Sequence, residues 1–227
     1  MSRIITLRLG VALAATGLVA FAAVPAQAEA VPADSSGSVG AAQALYGTEA
    51  IDIGPLAPCA AGGPGIGTTA GQASDAGLVS YGPGSSTCTY DPSTNSASAT
   101  INGRQFQLNK NNIPGVPSFS VATYTVSCTT TDTGVTSSIS LNGVKGLQVP
   151  DDIPPDYTIT VPGLDPDGPP IARIVLNDTV KADPPDTSLS VHAIKIWLYP
   201  DTGAAAPGSG SITVGSVTCN PAHLTEE

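Results

Sequence analysis

The sequence predicts an all-β fold, a β-sandwich of mainly antiparallel strands. Three observations carry that expectation. The 227-residue chain holds 25 Gly and 21 Pro, with abundant Ser, Thr and Val and few Lys, Glu and Leu, a composition that suits pleated, half-buried strands and the turns between them. Short segments of period-two alternation recur along the chain, separated by turn residues, as in sandwiches. After the N-terminal segment, no stretch keeps a helical period.

That segment reads as a secretory signal. Arg3 and Arg8 form a positive start, 11–24 is apolar and rich in small residues, and Ala26-Gln27-Ala28 is an A-x-A cleavage site. The apolar run is shorter than the roughly 20 residues that span a bilayer. Cleavage of 1–28 is therefore expected, leaving a secreted, extracellular chain that begins at Glu29. It has six Lys plus Arg against eighteen Asp plus Glu, a formal charge of −12. Such acidity argues against nucleic acid and anionic lipid as partners, since both repel it. The four cysteines, Cys59, Cys88, Cys128 and Cys219, imply two disulfides in an exported protein, with three connectivities open. Their spacing lacks the close Cys pairs of a zinc site.

In chain order, 29–43 is small, polar and aperiodic, and is expected to be a flexible lead-in. A single domain is expected over 44–220, with a tail at 221–227. Leu45 to Ile53 reads as the first strand, ended by Gly54-Pro55. Gly65-Ile66-Gly67-Thr68-Thr69-Ala70 approaches a dinucleotide-binding fingerprint. It lacks the flanking strand and helix that would make it one, and is read as a loop. Short strands are predicted at 76–81 and 87–90. Asn102-Gly103, a strong type I′ hairpin signal, is expected to join strands 96–101 and 104–108. Longer strands follow at 119–130 and 135–141, joined at Asp132-Thr133-Gly134. Asn142-Gly143 marks a turn, and 147–149 and 157–161 are short strands around an acidic, Pro-rich loop.

The richest stretch is Ile171 to Cys219. It reads IARIVLNDTV, a Pro-rich loop, SLSVHAIKIWLYP, a Gly/Ala/Pro loop, then GSITVGSVTC. In its middle strand Leu189, Val191 and Ala193 share a face. At Ala193–Ile194 the phase flips, and Ile194, Ile196 and Leu198 become the apolar set. An inserted residue, a β-bulge, is one way to keep both sets on one side; a strand covered on both faces is the other. The last strand slips similarly at Gly215.

These motifs, with Ala44-Leu45-Tyr46-Gly47 near the start, resemble the actinobacterial choice-of-anchor P secreted proteins, closely over 171–219 and loosely from Tyr46 onward. Asn177-Asp178-Thr179 stands where that family has Asn-Glu-Gln, His192 where Asn is usual and Lys195 where His is usual. The resemblance implies a cell-surface β-domain and brings no activity with it. It also implies a tie between a middle strand and the last one, hence Cys128–Cys219. Cys59–Cys88 then brackets a Gly-rich stretch without a core of its own. On a chain-entropy view the two loops are worth roughly 3.5 and 4.5 kcal/mol. The residues after Cys219 show no LPxTG-like motif, apolar span or basic stop, so no C-terminal anchor is expected.

Little in the sequence looks catalytic. His192 and His223 are the only histidines, and a serine nucleophile needs an oriented histidine beside it. His192 falls on the expected outer face of a strand, and no GxSxG elbow is present. The carboxylates cluster in Pro-rich loops without the aromatic cleft of a glycosidase. Asp165-Pro166-Asp167-Gly168 has the alternation of a half calcium loop but lacks the closing Glu, so Asp165 and Asp167 are weak calcium candidates. No cofactor is expected. Trp197 and Tyr199, two residues apart, are candidate ligand contacts if they share the outer face. The leading expectation is a non-catalytic extracellular interaction or structural domain whose partner is an unidentified protein or glycan. A small carbohydrate-binding module using Trp197 and Tyr199 is second, and a hydrolase third.

Overall fold

The computed structural model describes residues 30–62, 67–75, 77–108, 115–131, 134–163, 168–182, 187–200 and 208–224. In these residues the chain forms strands β1 (Ala30–Val31), β2 (Asp34–Tyr46), β3 (Glu49–Leu56), β4 (Cys59–Ala60), β5 (Gly67–Ala70) and β6 (Ala73–Asp75). There follow β7 (Val79–Tyr81), β8 (Gly84–Asp91), β9 (Ser96–Leu108), β10 (Phe119–Thr131) and β11 (Gly134–Asn142). The last are β12 (Tyr157–Val161), β13 (Ala172–Lys181), β14 (Leu189–Leu198), β15 (Gly208–Asn220) and β16 (His223–Leu224). No helix among the described residues is long and apolar enough to cross a membrane.

The strands form a β-sandwich. One sheet runs β12-β13-β14-β15-β2-β3, with β4 on the far end of β2. The other runs β11-β10-β9. There β9 branches, its first half pairing with β8 and its last residues with β7. A two-stranded ribbon joins β1 to β16. The apolar residues of both sheets meet in one core, where Tyr81, Tyr124, Phe106, Ile174, Ile194 and Ile212 are fully buried. Both disulfides cross between the sheets. Cys59 on β4 bonds Cys88 on β8 with Cα atoms 5.6 Å apart, and Cys128 on β10 bonds Cys219 on β15 at 6.1 Å. These separations lie inside the range a disulfide allows.

Several sequence expectations change. The lead-in drawn at 29–43 is largely strand: Asp34–Tyr46 lies between β15 and β3. Its inward positions are small because the opposite sheet fills the space. A Cβ on Gly40 would sit 2.3 Å from a ring carbon of Tyr81, and one on Gly37 2.8 Å from Ile101. The strand expected over 45–53 is a hairpin, with Tyr46 paired to Glu49 and Gly47 turning at φ 59°. Asn102-Gly103 is no turn at all. β9 passes straight through it, because the ring of Tyr124 occupies the place of a Cβ at Gly103, 2.0 Å away. The strand expected over 76–81 is the shorter β7, and 147–149 is not strand. Gly67–Ala70, read as loop, is strand β5 paired with β8. Residues 1–28, read as a signal, residues 63–66, Asp132-Thr133, the calcium candidates Asp165 and Asp167, and residues 225–227 lie outside the described residues.

The phase flip of β14 is real but needs no inserted residue. The pairs on both sides of Ala193 keep one register through β13, β14, β15 and β2. Instead a kink crosses the sheet along the row Asn177, Ala193, Gly215 and Val39. Asn177 and Gly215 adopt left-handed φ of 54° and 58°, which Gly takes freely and Asn tolerates. Val191, Ala193, Ile194 and Ile196 are all buried as a result. Two tyrosines of the opposite sheet bond the backbone at this row or close beside it. Tyr124 Oη–H donates to the Val39 carbonyl at 3.0 Å, and Tyr81 Oη lies 2.9 Å from the carbonyls of both Ala41 and Thr213. The burial that makes these bonds valuable also pushes both phenols well above their ordinary ionisation range.

Candidate functional site: the outer face of the β13–β14–β15 sheet

The kink puts His192 and Lys195 on the same outer face, although they are three residues apart. Cross-strand registry then assembles a patch from three strands. One row reads Asp178, His192, Ser216 and Ser38; the next reads Val175, Lys195, Thr213 and Ala41; the third reads Arg173, Trp197, Ser211 and Gln43. Residues directly opposite in antiparallel strands have side chains within contact range, so each row is a line of neighbours.

His192 Nδ1–H donates to Asp178 Oδ2 at 2.7 Å, with side chains 17% and 10% exposed. The carboxylate orients the ring and leaves Nε2 facing away from Asp178. Lys195 Nζ donates to Thr213 Oγ1 at 2.7 Å and lies 5.9 Å from the centroid of the Trp197 ring, a cation–π distance. Burial holds the Lys195 ammonium below its ordinary ionisation range, against the opposing pull of Asp178. Ser190 and Thr218 share a hydroxyl hydrogen bond of 2.8 Å beside the patch. The result is a surface of one indole, two cations, an oriented imidazole with its carboxylate, and several hydroxyls. Such a set can stack on a flat apolar face and exchange hydrogen bonds around it.

Trp197 and Tyr199 do not share this face. Tyr199 takes φ 50°, and its N–H donates to Ile171 O at 2.9 Å. Its ring turns to the core side, over Gly208, and stacks on Tyr46 with centroids 6.4 Å apart and planes 15° apart. Burial there, with Tyr46 beside it, raises its hydroxyl above the ordinary range. Trp197 stays half-buried on the outer face. Of the four cysteines, all lie in the sheet-to-sheet ties rather than at this surface. Among the described residues no group of three or more His, Cys, Asp or Glu is placed to hold a metal ion.

Sequence reading missed Asp178, Thr213 and Arg173 as members of the patch. A signal for Asp178 existed in the antiparallel pairing of β13 with β14, which places it opposite His192. No protein-family model, curated protein or solved structure was found to match this chain.

Proposed function

We propose that this protein is an exported, non-catalytic binding domain, and that the outer face around Trp197 is its contact surface for an extracellular protein or glycan. The observation that carries the reading is the indole held half-buried on a sheet beside Arg173 and Lys195. Aromatic and arginine side chains in such settings concentrate binding energy. The signal-like N-terminus and the two inter-sheet disulfides support an oxidising, extracellular setting. The motifs of 171–219 support placing the chain with the choice-of-anchor P proteins.

A glycan is the narrower version of this reading. Ser211 and Gln43, beside Trp197 in the same row, offer the hydrogen-bonding groups that flank a sugar stacked on an indole. The test is Trp197→Ala, with cosedimentation on the walls of the secreting cells and a melting curve as readouts. Binding should fall to background. Stability should drop by about 1 to 2 kcal/mol, less than the 3 to 5 typical of a fully buried Trp. Undiminished binding by the variant would overturn the proposal.

A further inference from the structure

A second surface lies at the open side of the sandwich. A groove of about 710 Å³ runs between β11 and the loop at 151–156, within the size range of specific ligand sites, roughly 300 to 1,000 Å³. The six consecutive residues 137–142 line it. A sheet face would contribute alternate residues, so an unbroken run means that the groove is bordered by the edge of β11. That strand ends its sheet and pairs only with β10 among the described residues. An edge strand of this kind carries outward N–H and C=O groups that an extended chain can pair with.

The opposite wall is acidic. Asp151, Asp152 and Asp156 line it, against Lys181 as the one cation among the lining residues. Asp156 is already engaged, accepting the Thr179 N–H at 2.8 Å and holding the wall to β13. Asp151 and Asp152 are exposed. We propose that this groove binds an extended basic peptide segment of another protein, which adds a strand to β11 and sets Lys or Arg side chains against Asp151 and Asp152. The charge of the wall selects the occupant. A second copy of this acidic chain would bring the same sign of charge to the groove, and is disfavoured.

The probe is a blocked peptide of alternating Lys and Val, about seven residues long, labelled for fluorescence anisotropy and titrated into the full secreted chain. It should bind, shift the amide resonances of 137–142, and weaken by about tenfold or more in the Asp151→Asn, Asp152→Asn double variant. A version N-methylated at alternate amides keeps its charge but cannot pair as a strand, and should not bind. Trp197→Ala should leave the affinity unchanged, which separates this groove from the outer face. The proposal is overturned if the N-methylated peptide binds equally well, if the double variant binds as tightly, or if the peptide fails to bind. It is equally overturned if Trp197→Ala abolishes binding, or if the 137–142 resonances shift with protein concentration alone, which would mark self-association at this edge.

Discussion

The two sheets of the sandwich do opposite jobs. The β8–β11 sheet supplies bulk: Tyr124 of β10 and Phe106 of β9 project into the core, joined by Tyr81 of β7. The β12–β3 sheet supplies room. Gly37 and Gly40 of β2 leave space for Ile101 and Tyr81, and backbone carbonyls at and beside its kinked row accept the tyrosine hydroxyls. Packing of this kind is directional. A protrusion can be trimmed at moderate cost, whereas a filled hole has nowhere to move, because protein interiors are packed as densely as crystals.

The largest expected effect comes from filling a hole. Gly40→Ala sets a methyl group 2.3 Å from Tyr81 Cε1 and should cost about 3 kcal/mol, read from the denaturation midpoint. Near-wild-type stability would show that the ring can step aside. A smaller effect comes from trimming the hydroxyl. Tyr124→Phe leaves the Val39 carbonyl without this partner and should cost about 1 to 3 kcal/mol. It should also soften the alkaline limb of the stability curve. The folded chain keeps the Tyr81 and Tyr124 protons to higher pH than the unfolded chain, whose tyrosines ionise near pH 10. Their stabilisation is thus complete below about pH 10 and is lost as the pH climbs through the raised values. A wild-type alkaline limb as shallow as that of the variant would remove the tyrosines from this account. The smallest effect belongs to the outer surface, where Ser211→Ala should stay within about 0.5 kcal/mol. A larger loss there would mean that the outer face is also structural.

The difference between the sheets explains what could be read in advance. Strands β10, β13 and β14 are visible because they carry large apolar residues at inward positions, even where the phase shifts. Apart from Val39, β2 carries Gly, Ala and Ser at the same kind of position, so its inward face leaves little hydrophobic trace although it runs through the middle of a sheet. The Asn102-Gly103 pair misleads for a related reason. Its glycine serves a ring contributed from β10, not a local turn, and a dipeptide carries no record of that. The outer patch was half legible: Trp197 and His192 stood out by residue type, while Asp178 and Thr213 joined only through pairing between strands. Tyr199 left the patch through one positive φ, which spacing alone does not reveal.

The position of β2 has a consequence for how the chain comes together. Ala42 lies beside Ile212, and Ser35 beside Cys219, so the first long strand made is partnered by the last. Until β15 emerges from the ribosome, one edge of β2 has no ladder to join. Contacts this distant in sequence are slow to form. The protein is therefore built with a delay: most of its length must be present before its middle can close.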